Sequence, residues 1–229
     1  MTQHKKCGPK RPAGVGPGFE RRMSRDEIND LPLQRWRGPI HLLTQQQQAL
    51  EAIDHLRREK VLGFDTETRP AFQKGCSYAP ALLQLATRHE VFLFRLAPIG
   101  LPGALRDILA DPAIIKSGVS LSHDLRELKK IAPFSGRGFI DLAREAKQLQ
   151  IKNHGLRGLC AVLLGFRISK SQQTSNWSRR QLSEAQLRYA ATDAWVGREL
   201  YFALKNLGEH HEKRTKTLSA TRQAVPHGT

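Results

Sequence analysis

Strand-like and helix-like segments alternate along the second half of the chain, and this alternation limits the possible folds more than any other feature. Short runs with strand character at 113–117 and 139–141 are each followed by a segment with helical spacing, at 124–131 and 142–149. Such alternation is typical of α/β proteins, in which helices cover the faces of a largely parallel sheet. The second half of the chain therefore predicts a layered α/β fold.

The first half of the chain predicts antiparallel strands in the same sheet. The strand-like runs 81–87 and 90–95 are joined by so few residues that we expect a hairpin. Residues 61–66 predict a buried strand, and the apolar residues 40–43 are able to add a short one. The sequence thus predicts a mixed sheet flanked by helices, with antiparallel early strands and parallel later strands.

The most clearly predicted helix begins after Ser183. Ser183 and Gln186 have the spacing of a capping box, and apolar residues then recur with a helical period from Leu187 to Leu204. Gly208 is expected to end this helix, because glycine is common just beyond a helix C-terminus.

The two ends of the chain differ from the middle in composition. Residues 1–37 are rich in Lys, Arg, Gly and Pro and poor in aliphatic residues, which predicts a basic, flexible N-terminal arm. Residues 209–229 are polar and are expected to form a disordered tail. The predicted folded domain is therefore 38–208.

The chain carries a large excess of positive charge. It has 37 Lys and Arg against 21 Asp and Glu, which gives a formal net charge of +16. The excess is not confined to the ends, because residues 137–188 contain ten Lys or Arg and three Asp or Glu. A polyanionic partner is favoured by such an excess, with nucleic acid as the first candidate.

Cysteine usage and hydropathy predict the compartment. Cys7, Cys76 and Cys160 are odd in number and have no CxxC spacing, which argues against a disulfide framework and a zinc site. No apolar run approaches the length of a membrane span, and the N-terminus lacks the apolar stretch of a signal peptide. The expected location is the cytoplasm, without membrane association.

Two acidic residues follow one another at the end of a predicted strand. In the stretch VLGFDTETRP, Asp65 and Glu67 are two residues apart, so their side chains leave the same face of the strand. Neighbouring carboxylates repel each other, and a hard divalent cation with oxygen ligands relieves that repulsion. The competing interpretation, polar residues in solvent at a strand end, is favoured when the pair is considered alone.

Three further residues have side chains suited to the same chemistry. Tyr189 and Asp193 are four residues apart in the last predicted helix, so they share one helical face among apolar neighbours. A core aromatic residue and an exposed helix position are the competing interpretations. Asp124 lies where a predicted strand gives way to a helix, and there a structural role at the helix start competes with a catalytic one.

Together these segments resemble the DEDD family of 3′-to-5′ exonucleases. Asp65 and Glu67 match the first motif of the family, Asp124 the second, and Tyr189 with Asp193 the third. The resemblance covers about residues 40–205.

The branch of the family is indicated by one position. In the histidine branch a histidine lies five residues before the last aspartate, and here that position is Arg188. The sequence is therefore similar to the tyrosine branch (DEDDy), which includes ribonuclease D and the exonuclease domain of Werner-type proteins. Residues 155–194 also resemble the ribonuclease D pattern of an apolar helix, a Lys/Ser/Gln loop, a Trp and a final helix.

The resemblance implies a fold, a set of ligands and a reaction. The fold is ribonuclease-H-like α/β, with a mixed five-stranded sheet flanked by helices. Two divalent cations, Mg²⁺ or Mn²⁺, would be held by Asp65, Glu67, Asp124 and Asp193, one activating water and the other stabilising the leaving 3′ oxygen. Tyr189 would orient the water, since a phenol with a pKa of about 10 is seldom ionised at neutral pH. The expected reaction is phosphodiester hydrolysis at single-stranded or frayed 3′ ends of DNA or RNA, releasing nucleoside 5′-monophosphates.

Basic residues flank the third motif and are expected to bind backbone phosphates, with a solvated surface as the competing interpretation. These residues are Arg167, Lys170, Arg179 and Arg180. Trp177 lies among them, and we expect it to pack within the fold rather than stack on a base.

Two other functional hypotheses remain open from the sequence. One is a nucleic-acid-binding module of the same fold without catalysis. The other is a nuclease subunit of a repair or RNA-processing assembly, with the terminal arms as docking elements.

Overall fold

Six strands form one mixed sheet in the part of the chain that the structure describes. The computed structural model describes residues 16–71 and 78–223, with side chains up to residue 210. The strands are β1 (Ile40–Leu43), β2 (Val61–Thr68), β3 (Pro80–Ala86), β4 (Val91–Arg95), β5 (Ile115–Gly118) and β6 (Phe139–Asp141).

The order of the strands across the sheet is β1-β4-β3-β2-β5-β6. β3 is antiparallel to β2 and to β4, whereas β5 pairs in parallel with β2 and with β6, and β1 pairs in parallel with β4. The predicted mixed α/β sheet is confirmed, with six strands instead of five. The additional strand is β1, because the apolar residues Ile40–Leu43 pair with the edge of β4.

Helices cover both faces of this sheet. They are α1 (Arg25–Asn29), α2 (Gln46–Leu56), α3 (Leu96–Ile99), α4 (Gly103–Ala110), α5 (Ser122–Ile131), α6 (Leu142–Gln148), α7 (Leu156–Leu159) and α8 (Glu184–Gln223), with a π-helical turn at Cys160–Leu164. The central strands β3 and β4 are buried along their whole length. They consequently read as continuous apolar runs, as expected for strands with both faces covered.

Each face of the sheet has its own apolar core. On one face, residues of α2, α4 and α5, such as Ile53 and Leu105, pack against Phe64 of β2. On the other face, Ala190 and Ala194 of α8 pack against Leu82 and Leu93. The small alanine side chains keep α8 close to the strands.

Helix α8 begins as predicted and ends later than predicted. The Ser183 Oγ accepts a hydrogen bond from the Gln186 amide at 3.2 Å, and the Gln186 side chain accepts one from the Ser183 amide at 3.0 Å, which confirms the capping box. The prediction that Gly208 ends the helix is wrong, because α8 continues to Gln223. A glycine within a helix costs only about 0.5–1 kcal/mol relative to alanine, and the neighbouring helix-forming residues outweigh that cost. The predicted tail 209–229 thus begins inside α8, and residues 224–229 lie outside the described residues.

Residues 16–37, here called the N-terminal segment, differ from the predicted flexible arm. The Gln34 amide donates to the Arg167 carbonyl at 2.9 Å, and the Arg167 amide donates to the Pro32 carbonyl at 3.0 Å. Trp36 and Ile28 are buried against the domain. The composition of the segment did not predict these contacts, because only a few buried apolar side chains and backbone hydrogen bonds to other elements hold the segment in place. The prediction for residues 1–15 lies outside the described residues, as do Cys7 and Cys76.

Among the described helices, none has the length and apolar character needed to cross a membrane. Cys160 is a free thiol in the buried core.

Candidate active site

Glycine at position 63 lets helix α8 lie directly on strand β2. A Cβ at Gly63 would overlap the Ala194 carbonyl oxygen and lie 3.0 Å from the Arg198 amide nitrogen. On the helix side, a Cβ at Gly197 would lie 2.9 Å from the Ser117 carbonyl oxygen. The Ser117 hydroxyl donates to the Gly197 carbonyl at 3.0 Å and fixes the helix at this point. The backbones of α8, β2 and β5 therefore approach closely, two residues before Asp65 in β2.

This approach brings three of the predicted acidic residues together. Asp65 and Glu67 project from the same face of β2, and Asp193 projects from α8 towards them. One carboxylate oxygen of each residue lies within 4.8 Å of the others. Glu67 and Asp193 are only 9% and 7% exposed. We call Asp65, Glu67 and Asp193 the acidic cluster.

The acidic cluster is electrostatically unfavourable without a cation. Burial, followed by the charges of Asp193 and Asp124, raises the pKa of Asp65 well above its ordinary value. Burial and the charge of Asp65 raise the pKa of Glu67 to about 10, and burial raises the pKa of Asp193 to about 7. The Asp193 Oδ1 is buried and has no hydrogen-bond partner among the described residues. A donor set of closely spaced, partly unsatisfied carboxylate oxygens fits a hard divalent cation such as Mg²⁺ or Mn²⁺.

Tyr189 lies on the same face of α8 as Asp193 and lines the same cleft. Burial and the negative charges of Asp193 and Glu67 raise the pKa of Tyr189 above its ordinary value. Hydrogen bonding from the Tyr189 hydroxyl favours the ionised form of Asp193 and opposes the effect of burial on its pKa. The phenol therefore stays protonated at neutral pH and is a hydrogen-bond donor rather than a base.

Asp124 lies beside the acidic cluster but outside its closest grouping. It is in the first turn of α5, and its Oδ1 accepts a hydrogen bond from the Thr66 hydroxyl at 2.6 Å. Its charge contributes to the raised pKa values of Asp65 and Glu67, so the distance is short enough for electrostatic coupling. The structure thus groups three of the four predicted acids and holds the fourth next to them through Thr66.

The acidic cluster lies in a cleft of about 680 Å³. Basic and polar residues line the cleft beyond the acids, among them Arg22, Arg25, Asn153, His154 and Lys170. Arg22 and Arg25 were not among the predicted site residues. The basic composition of residues 1–37 was the only signal in the sequence, and it gave no indication that the N-terminal segment lies on the domain.

The four predicted phosphate-binding residues have different surroundings. Lys170 is exposed and lines the cleft. The Arg167 Nε instead donates to the Asn29 and Leu31 carbonyls, both at 3.0 Å, and so attaches the N-terminal segment. Arg179 and Arg180 are exposed and do not line the cleft.

Trp177 has the structural role that the sequence predicted. It is fully buried, and its ring centroid lies 6.0 Å from that of Tyr189. Trp177 therefore packs beside the Tyr189 ring and helps to fix its position.

The mixed sheet and the acidic cluster between β2 and α8 define a ribonuclease-H-like α/β domain with a carboxylate site. The model of a 3′-5′ exonuclease family matches residues 40–209 of the chain. The chain therefore belongs to this family, as a DEDD-type 3′-5′ exonuclease domain.

Similar proteins support this assignment. The human exonuclease mut-7 homolog is 32% identical over 220 residues, an alignment that covers 79% of this chain and 24% of that protein. The mouse bifunctional 3′-5′ exonuclease/ATP-dependent helicase WRN is 32% identical over 155 residues, covering 65% of this chain and 11% of that protein. The chain thus spans only a minor part of the length of these relatives.

Solved structures agree in fold. The EXO domain of Aedes aegypti Nibbler has a TM-score of 0.70 at 25% identity, covering 77% of this chain and 93% of that one. Escherichia coli RNase D has a TM-score of 0.67 at 22% identity, covering 82% of this chain and 51% of that one. The second likeness concerns the fold alone.

The close approach at Gly63 leads to a first prediction. Gly63→Ala should push α8 away from β2, lowering the free energy of unfolding by about 1–3 kcal/mol as overpacked positions do. Thermal unfolding measures the loss, and the rise in Tm on adding Mn²⁺ should shrink because Asp193 moves away from Asp65. Gly208→Ala is the control, since a Cβ there meets nothing within 4 Å. An unchanged Tm and an unchanged response to Mn²⁺ in Gly63→Ala would contradict this account.

The raised pKa values lead to a second prediction, on stability and pH. A carboxyl group whose pKa is raised in the folded state binds more protons in the folded protein than in the unfolded one. The free energy of unfolding therefore falls as pH rises from about 4, the unfolded-state pKa, through the folded-state pKa. For Asp193 the loss extends to about pH 7. In EDTA, Asp193→Asn should therefore gain Tm relative to the unsubstituted protein as pH rises from 5 to 8. The gain should be about 2–4 °C for each kcal/mol.

Saturating Mn²⁺ should remove this advantage, because the cation compensates the charge of Asp193. A Tm difference between the two proteins that does not vary with pH in EDTA would show that burial does not raise the pKa of Asp193.

Proposed function

We propose that the protein is a metal-dependent 3′-to-5′ exonuclease that hydrolyses the terminal phosphodiester bonds of nucleic-acid strands. The observation that carries this proposal is the meeting of Asp65, Glu67 and Asp193 within 4.8 Å, with Tyr189 in the same cleft. Membership of the 3′-5′ exonuclease family supports the direction of attack. The products would be nucleoside 5′-monophosphates.

The acidic residues would hold two divalent cations, Mg²⁺ or Mn²⁺. One carboxylate oxygen of Asp65 lies within 4.8 Å of a carboxylate oxygen of Glu67 and of Asp193, so these three residues would be the direct ligands. Asp124 is close enough to support one of the ions through water. When bound, such a pair lowers the pKa of water and stabilises charge on the leaving oxygen.

The protein's own groups would orient the reactants. The Tyr189 hydroxyl, protonated and close to Asp193, would hold the attacking water by a hydrogen bond. The buried Trp177 fixes the phenol ring, which limits the number of positions available to that water. Accurate positioning of this kind contributes a large part of the rate in enzyme reactions.

The expected substrate is a single-stranded or frayed 3′ end of DNA or RNA. Lys170 lines the cleft beside the acidic cluster and would bind a backbone phosphate. The overall charge of +16 favours a polyanion at the surface around the cleft.

A third prediction concerns the acidic cluster and the release of nucleotides. A 5′-labelled single-stranded DNA or RNA should shorten from its 3′ end with Mg²⁺ or Mn²⁺ and remain intact in EDTA. Asp65→Ala should lower kcat by at least about 100-fold, on the scale of losing a group that stabilises charge in the transition state. Gel electrophoresis of the labelled products over time measures both the metal dependence and the change in kcat.

Asp54→Asn provides the control for the third prediction, because Asp54 is exposed on α2 away from the cleft. Its activity should equal that of the unsubstituted protein. Binding of the labelled strand without any cleavage in either metal would instead identify an inactive nucleic-acid-binding module.

A fourth prediction concerns Tyr189. Tyr189→Phe removes the hydroxyl and keeps the ring on Trp177, so kcat should fall by up to about 100-fold while KM changes little. Tyr201→Phe, at a tyrosine of α8 that does not line the cleft, should leave both constants unchanged. Steady-state rates on one oligonucleotide compare the three proteins. A Tyr189→Phe variant with full kcat would rule out the orienting role.

A further inference from the structure

The N-terminal segment is firmly attached along one side of the cleft. The Asn153 side chain, only 5% exposed, bonds both polar groups of the Met23 backbone: its Oδ1 accepts from the Met23 amide at 2.9 Å, and its Nδ2 donates to the Met23 carbonyl at 3.1 Å. The Trp36 amide donates to the Thr192 hydroxyl of α8 at 3.0 Å. Together with the bonds from Arg167, these contacts fix the backbone of the segment at Met23 and over residues 29–36.

Two arginines of the segment point into the same cleft as the acidic cluster. Arg22 and Arg25 both line it, and Met23, whose backbone Asn153 holds, lies between them in sequence. Helix α1, which begins at Arg25, is stabilised by the Ser24 and Glu27 capping box and by the burial of Ile28. The backbone that carries both arginines is therefore fixed before any ligand binds.

The charges of Arg22 and Arg25 are available to a ligand. The neighbouring Arg21 forms an ion pair with Glu27, and this interaction lowers the pKa of Glu27 to about 2. Arg22 and Arg25 are exposed, and neither makes an ion pair with any described carboxylate. Their guanidinium groups have the geometry that binds phosphate oxygens in pairs.

The cleft thus combines acids at the base with free cations on the wall. A strand whose 3′ end reaches the acidic cluster would pass its backbone phosphates along this wall, where cations would bind them. The match to the exonuclease family begins at residue 40, and the wall formed by residues 16–37 lies outside that match. Arg22 and Arg25 are therefore an addition to the part of the site that the family model covers.

We infer that Arg22 and Arg25 bind backbone phosphates of the nucleic-acid strand whose 3′ end occupies the acidic cluster. This inference rests on the proposed exonuclease function for the direction of the strand. The N-terminal segment then acts as a substrate-binding wall, and its two arginines set affinity for the strand rather than the rate of hydrolysis.

The test is the salt dependence of binding. A short 5′-fluorescein-labelled oligothymidylate is titrated with the full chain carrying Asp65→Asn, which prevents its degradation, over a series of NaCl concentrations. Each phosphate contact to a single strand contributes about 0.7 to the slope of log K against log salt concentration. Adding Arg22→Ala and Arg25→Ala should reduce the magnitude of the slope by about 1.4, and Arg22→Lys with Arg25→Lys should restore most of it.

The matched control is the pair Arg58→Ala and Arg88→Ala, which removes the same charge. Both residues are exposed and lie in loops at the opposite end of β2 and β3 from Glu67. This control should leave the slope nearly unchanged, and equal slopes for the two double variants would overturn the inference. Equal Tm values confirm that all variants are folded, as expected for exposed side chains.

Turnover separates this inference from the proposed function. In the protein with its acids intact, Arg22→Ala with Arg25→Ala should raise KM by about 10-fold or more with kcat retained, since uniform binding is lost. If the unsubstituted protein releases nucleotides but the double variant changes neither the slope nor KM, only the phosphate-binding role of Arg22 and Arg25 is refuted. A changed slope without any nucleotide release would refute only the exonuclease activity.

Discussion

The direct contact between α8 and β2 is the interaction on which the site depends. Gly63 removes the side chain that would separate the two backbones, and the Ser117 hydroxyl holds the helix through the Gly197 carbonyl. Because Asp193 is on the helix and Asp65 on the strand, the separation of their carboxylates follows from this contact. The apolar cores on both faces of the sheet hold these elements in place.

The same contact creates an electrostatic problem that a cation solves. Closely spaced, buried carboxylates raise one another's pKa, and the unpartnered Asp193 Oδ1 adds the cost of an unsatisfied polar atom. A protein that keeps such an arrangement loses stability in the metal-free state and regains it on binding a divalent ion. Membership of the 3′-5′ exonuclease family agrees with this reading of the site.

Local periodicity explains which parts were predictable from the sequence. The two-residue repeat of a strand placed Asp65 and Glu67 on one face, and the helical repeat placed Tyr189 beside Asp193. The meeting of the strand acids with Asp193 followed only from the resemblance to the exonuclease family, and the mixed sheet followed from the alternation of strands and helices. Contacts between distant segments were not predictable, because composition does not reveal them. Residues 16–37 are attached by such contacts, including those of Arg167. The continuation of α8 to Gln223 depends on the small free-energy cost of a glycine within a helix.

Diffraction from crystals soaked in Mn²⁺ would show whether the acidic cluster binds a divalent cation, because anomalous scattering locates the ion independently of any activity. We expect an anomalous peak with oxygen ligands from Asp65, Glu67 and Asp193 at roughly 2.0–2.2 Å, near the range for small hard cations. No peak at these carboxylates under saturating Mn²⁺, or Mn²⁺ bound only at other sites, would contradict this expectation.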